Sequence, residues 1–183
     1  MILLFGPVGA GKSVQGELLA QRNGWQWLST GQMFRASDDK KVKQILASGE
    51  LIDDQTTFEV VQGAFAQKKD VARIVLDGFP RTMPQAEWLL DASNQLGRDV
   101  ALVIVLEVPL EVIQERLAGR GRDEDTPEKI ARRMEIYHQQ TDPIVEYFDG
   151  KRVTIEHVDG TGTIDEIHER IVAALRARGL MEQ

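Results

Sequence analysis

The 183-residue chain contains no cysteine. Disulfides, thiol nucleophiles and cysteine-ligated zinc are therefore excluded, which suits a reducing compartment. Long apolar runs are also missing: none approaches the ~20 residues needed to span a bilayer. The first five residues are apolar, but Gly6-Pro7 follow at once and no basic segment precedes them. They read as a buried strand and not as a signal peptide, so the expected location is the cytoplasm. Positive charge is in deficit, with 22 Lys and Arg against 29 Asp and Glu, a net −7. That balance argues against a general nucleic-acid or membrane-surface binder, while leaving room for a local basic pocket. Histidine is scarce: His138, His157 and His168 lie far apart with no metal-ligand spacing, and no catalytic role is assigned to them. Aromatics are few, and Trp25, Trp27 and Trp88 read most simply as packing residues. Repeats and low-complexity linkers are absent, and nothing in the sequence points to oligomerisation, so a monomer is expected.

What is present is an alternation of apolar runs and helical patterns. Strands are predicted at "MILLF", "WQWLS", "RIVLDGF" (73–79), "VALVIVLEV" (100–108) and "RVTIEHV" (152–158). The third and fourth are apolar throughout, as strands covered on both faces should be. Helices are predicted over 12–22 and near 54–68, 82–96, 109–118, 127–148 and 163–178. Thr126-Pro127 with Glu128 marks one helix start, and Thr163 with Glu166 has the pattern of a capping box. The alternation predicts one α/β domain, with a parallel sheet between two layers of helices. Such sheets bind ligands beyond the carboxyl ends of their strands. Two polar segments, 30–59 and 119–126 ("GRGRDEDT"), look like excursions able to cover that edge.

Gly6-Pro7-Val8-Gly9-Ala10-Gly11-Lys12-Ser13 fits G-x-x-x-x-G-K-[ST] at every fixed position, between a predicted strand and a predicted helix. Glycines in this pattern let successive N–H groups turn toward phosphate oxygens, and the helix adds its positive end. Lys12 then supplies charge to the β and γ phosphates, and the Ser13 hydroxyl is placed to touch Mg²⁺. The motif points to a nucleotide and leaves the acceptor undefined.

Later motifs define the acceptor. They are "LSTGQMFRAS", "DGFPRTMPQA", "YHQQTDPIVEYF" and Val158-Asp159-Gly160, in this order. With the phosphate loop they make the chain resemble adenylate kinase over nearly its whole length. The resemblance implies a P-loop three-layer α/β/α fold with a five-stranded parallel sheet, a monophosphate-binding insertion at 30–59 and a lid at 119–126. It implies Mg²⁺-dependent phosphoryl transfer from ATP to AMP. Arginines suit that task, because several like charges must share one cleft and planar guanidinium groups fork onto phosphate.

By the same resemblance, Gly9, Ala10, Gly11, Lys12, Ser13, Val14, Arg116, Arg120 and Gly160 bind ATP. Thr30, Gly31, Arg35, Ile52, Gly78, Arg81, Gln85, Arg122 and Arg133 bind AMP. Arg35 and Arg81 hold its phosphate, Gln85 reads its adenine edge and Thr30 lies beside the base. Arg116 packs on the adenine of ATP, and the backbone near Asp159-Gly160 borders it. Lys12, Arg81, Arg120, Arg122 and Arg133 serve the transferring group, while Ser13 and Asp77 hold Mg²⁺, Asp77 through water. Glu124 and Asp125 pair with the lid arginines on closure, and Pro80 follows a cis bond.

Blander readings stand beside these. Arg116 could pair with Glu111 or Glu115 on its own helix. Arg120 and Arg122 could form a surface salt-bridge loop with Asp123, Glu124 and Asp125. Asp77 could be a helix cap. Arg132, next to Arg133 on a charged helix, reads as solvated and is left out of the site. A pyrimidine monophosphate kinase, a small-metabolite kinase such as a shikimate kinase, and a catalytically weakened nucleotide-binding regulator are the alternatives. Thr30 and Gln85 together favour AMP over pyrimidines, and "DGFPRTMPQA" has no reason to appear in a shikimate kinase.

Three features depart from the family's pattern. Ser13-Val14 stands where Gly-Thr is usual, so a hydroxyl is lost at Val14 and one gained at Ser13. The stretch after Arg35 is shorter than the usual insertion. The lid is minimal, with only Gly121 between Arg120 and Arg122. A smaller cover implies either weaker exclusion of water or an easier closure.

Overall fold

A computed structural model describes residues 1–67, 73–96, 98–122 and 125–182. Its centre is a five-stranded parallel sheet, built from β1 (Ile2–Phe5), β2 (Gln26–Ser29), β3 (Ile74–Asp77), β4 (Leu102–Glu107) and β5 (Ile155–Asp159). The spatial order is β2-β3-β1-β4-β5, with every neighbouring pair parallel. β1 is therefore central, and the chain leaves it toward β2 on one side and returns to β4 on the other. That reversal opens a crevice at the carboxyl ends of β1 and β3.

Alternation along the strands builds two cores. Leu3 and Phe5 of β1, with Leu76, Val103 and Val105, face α4 (Asp54–Gln67), α5 (Met83–Leu96) and α8 (Asp142–Gly150), which contribute Phe65, Leu89 and Phe148. Ile2 and Leu4, with Val75, Ile104 and Leu106, face α1 (Lys12–Asn23) and α9 (Ile164–Ala177), which contribute Leu19, Ile167, Ile171 and Leu175. Every residue of β1 is buried, as its unbroken apolar sequence requires. Between β2 and β3, α2 (Thr30–Arg35), α3 (Lys40–Ser48) and the start of α4 enclose a small core of Phe34, Val42 and Ile52. α6 (Leu110–Ala118) and α7 (Pro127–Ile136) share another, made of Ile113, Leu117 and Ile130.

The predicted starts of α7 and α9 form by local chemistry. The Thr126 hydroxyl accepts from the Lys129 N–H with Pro127 at the first turn, and Thr163 and Glu166 complete a reciprocal capping box. The helix predicted over 127–148 forms but is not α throughout: α7 passes through a π-helical turn, Tyr137–Thr141, into α8. Pro143 offers no N–H and crowds the carbonyl four residues back, and the wider turn accommodates this. The last strand also lies later than predicted, ending at Asp159. Residue 68 of the helix expected at 54–68, and lid residues 123 and 124, lie outside the described residues.

Candidate active site

β1 ends at Phe5, and its chain turns through the glycine loop into α1. The Lys12 ammonium folds back on this turn and donates to the carbonyls of Gly6 (2.6 Å) and Pro7 (2.8 Å). Its pKa falls from 10.5 to about 8. Burial is the largest cause; Asp77 opposes it, and the charges of Arg81, Arg133 and Arg120 add to it. Gly9 has φ +80°, and a Cβ there would lie 3.1 Å from Ile113 and Leu117 side-chain carbons. The loop thus rests against α6 only because this residue has no side chain.

Ser13, at the start of α1, donates its hydroxyl to Asp77 Oδ2 at 2.6 Å. Asp77 ends β3 and is 3% exposed, so it is a buried acceptor facing the loop. Val14 is half-exposed at the cleft mouth. Arg116 lies at the end of α6, where it donates to the Gly160 carbonyl at 2.8 Å and, more weakly, to that of Ala10 at 3.4 Å. Those bonds tie the buried Ala10 and Gly160 to Arg116, which itself lines the cleft. Gly11, Lys12, Arg120 and Arg122 line the same cleft.

A second, smaller pocket lies beyond β3, walled by Thr30, Gly31, Ile52, Gly78 and Gln85. Phe34, Leu51 and Thr57 complete much of its lining. The Gly78 carbonyl accepts from the Thr30 hydroxyl (2.7 Å) and from Arg81 Nε (2.8 Å). Gly78 has φ +78°, and a Cβ would lie 2.8 Å from both the Thr30 oxygen and an Arg81 nitrogen. Only glycine fits between them. The Phe79–Pro80 bond is cis. Between the two pockets a third cavity is shared by Lys12, Arg35, Arg81 and Arg133. Burial holds the Arg81 pKa below its usual value, against the pull of Asp77.

Asp125 ties the end of α6 to α7 beside the cleft. Asp125 accepts from Arg120 Nε at 2.7 Å and from Arg133 at 3.5 Å, and its side chain is 3% exposed. Burial pulls the Asp125 pKa up, but the Arg120 bond and the charges of Arg120 and Arg133 outweigh it and hold the group below its ordinary value. Glu124, expected to join these pairs, lies outside the described residues.

A family model described as adenylate kinase matches residues 4–153. The chain belongs to the adenylate kinase family. It is 34% identical over 180 residues to an adenylate kinase of Mycobacteroides abscessus, covering 95% of this chain and 98% of the relative. It is 36% identical over 184 residues to one of Thermus thermophilus, covering 95% and 96%. A third, from Stenotrophomonas maltophilia, is 34% identical over 186 residues, covering 96% and 99%. The alignments span nearly all of each chain.

Of the groups that hold the site side chains, Asp125 was expected, and it pairs with Arg120. Asp54 was not expected, and no role was read for Thr82 or Thr141 although both stand inside the quoted motifs. The Asp54 carboxylate accepts from the Thr82 hydroxyl and from Gln85 Nε2, each at 2.8 Å. Thr141, in the π-helical turn, donates to the Arg81 carbonyl at 3.2 Å. In the sequence, Asp53-Asp54 before a helical pattern carries the ordinary signal of a helix start, which hides any second role. Arg132 is exposed, as read, and bonds Glu50 at 2.7 Å and Glu135 at 2.8 Å on the surface. Those bonds, Glu50 first, keep its guanidinium more firmly protonated.

Proposed function

We propose that this adenylate kinase family member transfers the terminal phosphoryl group of ATP to AMP, reversibly, giving two ADP. The observation that carries the reading is the cavity shared by Lys12, Arg35, Arg81 and Arg133. It lies between a cleft at the phosphate loop and a pocket at Thr30, Ile52 and Gln85. Two nucleotide phosphates brought together there repel by about 4 kcal/mol per pair of unit charges at 4 Å and intermediate dielectric. Lys12 of α1, Arg35 of α2, Arg81 of the loop after β3 and Arg133 of α7 supply the opposing field. No nucleophilic side chain is needed, because an AMP phosphate oxygen attacks the γ phosphorus in line. Catalysis then rests on positioning and charge stabilisation.

In this reading the loop amides and Lys12 hold the β and γ phosphates, and Arg116 with the Gly160 backbone borders the ATP base. Arg35 and Arg81 hold the AMP phosphate. Arg120, Arg122 and Arg133 close over the transferring group, with residues 119–126 as the lid and 30–59 as the monophosphate-binding insertion. Ser13 and Asp77 fit a magnesium ion carried by the nucleotide, since both offer hard oxygen donors 2.6 Å apart at the foot of the cleft. Bound there, magnesium neutralises phosphate charge during transfer. Ser13 takes over the contact that Val14 cannot make. A cytoplasmic monomer completes the proposal; among the described residues no helix is long and apolar enough to cross a membrane.

The test is ADP formation from Mg·ATP with AMP, UMP, CMP and GMP as parallel acceptors. AMP should be used far faster than the others. Equal rates with UMP and AMP would remove the adenine assignment.

A further inference from the structure

Gln85 is 2% exposed and forms part of the acceptor-pocket wall. Both ends of its carboxamide are engaged. Oε1 accepts from the Arg81 backbone N–H at 2.8 Å, and Nε2 donates to Asp54 Oδ1 at 2.8 Å. Asp54 is itself anchored by the Thr82 hydroxyl at 2.8 Å, and the same hydroxyl oxygen accepts from the Gln85 N–H at 3.4 Å. A backbone N–H can only donate and a carboxylate can only accept. One orientation of the carboxamide satisfies both neighbours. The flipped orientation would set N–H against N–H and oxygen against carboxylate, inside the protein.

A primary amide has two N–H groups and two oxygen lone pairs. Arg81 and Asp54 take one of each. What remains is one donor and one acceptor, in fixed order. Adenine offers a ring-nitrogen acceptor at N1 and an amino donor at N6, which this order matches. Hypoxanthine and guanine offer the reverse, a donor at N1 and a carbonyl acceptor at C6. A freely flipping glutamine would serve both kinds of base, whereas a fixed one serves only the first.

We infer that Asp54 is a specificity-positioning residue, which makes the acceptor site choose 6-amino over 6-oxo purines by fixing the Gln85 carboxamide against the Arg81 N–H. The inference rests on the reading that this pocket takes the base of the monophosphate.

The experiment measures kcat/KM for AMP and for IMP at saturating Mg·ATP in the wild-type enzyme, Asp54→Asn and Gln85→Ala. Asparagine keeps the shape of Asp54 but can turn an N–H toward Gln85, so it lifts the carboxylate's demand for a donor and leaves the order of the amide to the Arg81 N–H alone. For Asp54→Asn the AMP-to-IMP preference should fall several-fold, with kcat/KM for IMP rising in absolute terms. Structural damage alone would lower both substrates together; that result, or an unchanged preference, overturns the inference. Thr82→Val removes the second anchor of Asp54 and should relax the preference in the same direction by a smaller factor. It serves as the decisive variant if Asp54→Asn does not fold, and no relaxation there also counts against the inference. Gln85→Ala separates the two levels. If it leaves the AMP-to-IMP preference intact, the base does not meet Gln85 and the pocket reading itself fails. If Gln85→Ala lowers the preference and Asp54→Asn does not, only the role of Asp54 is lost.

Discussion

The phosphate-loop lysine provides a prediction with a number attached. Lys12 holds a pKa of about 8 in place of 10.5, because its ammonium is buried and shares its cavity with Arg81, Arg133 and Arg120. In the free enzyme about 90% of Lys12 is then charged at pH 7 and about 9% at pH 9, whereas an unshifted lysine would still be about 97% charged. The second-order constant kcat/KM for Mg·ATP follows ionisations of the free enzyme. It should fall about tenfold between pH 7 and pH 9, with a midpoint near 8. Bound phosphates favour the charged ammonium, so kcat at saturation of both nucleotides should fall less and later. The assay is initial-rate ADP formation at constant ionic strength across that range. A kcat/KM that stays flat to pH 9.5, or a kcat that falls in step with it, would refute the reasoning. The same shift bears on stability. A lysine with a depressed folded pKa contributes stability that is present above its unfolded pKa of 10.5 and is lost as pH falls through about 8. Charged Lys12 therefore costs the empty enzyme stability at neutral pH, and nucleotide relieves that cost.

Further outcomes follow from the site and the core. Arg81→Ala should lower turnover by about 10²-fold or more, with the melting temperature of the empty enzyme little changed; near-normal turnover would remove Arg81 from the site. Ser13→Ala breaks the 2.6 Å bond to Asp77. It should raise the magnesium concentration needed for half-maximal rate several-fold, and an unchanged requirement would end the idea that Ser13 replaces the missing threonine. Phe148 is fully buried and meets Phe5 edge to face at 6.1 Å. Phe148→Ala should cost about 3–5 kcal/mol by chemical denaturation and lower the melting temperature by roughly 6–20 °C. A loss below about 1 kcal/mol would mean that the core around β1 tolerates the cavity.

The layered fold was legible because its signals are local and strong. "ILLF", "IVLD" and "LVIVLE" are apolar on both faces, and only a parallel sheet covered on both sides buries such strands. The capping box at Thr163 and the cap at Thr126 were legible for the same reason. The π-helical turn was not, because Pro143 announces a disturbance without saying whether the helix stops or widens. At the site, the motifs named side chains that the fold brings to the two pockets and the cavity between them. Thr82 and Thr141 stand inside those motifs without a role being legible for them, and Asp54 lies outside the motifs; their bonds span sequence separations of 28, 31 and 60 residues. Contacts that distant leave no periodic trace in one sequence. Arg132 shows the same limit: its helix face is exposed as read, but its pairing with Glu50, 82 residues away, leaves no sign in the sequence.

The central claim is that two adenine-nucleotide halves meet at one set of arginines. Incubating the enzyme with Mg·ADP alone tests it most directly, because disproportionation needs both halves filled and joined. The account predicts ATP and AMP appearing in equal amounts, with no inorganic phosphate, and loss of the reaction in Arg81→Ala. Release of inorganic phosphate in place of ATP, or stable ADP in the presence of active nucleotide binding, would contradict it.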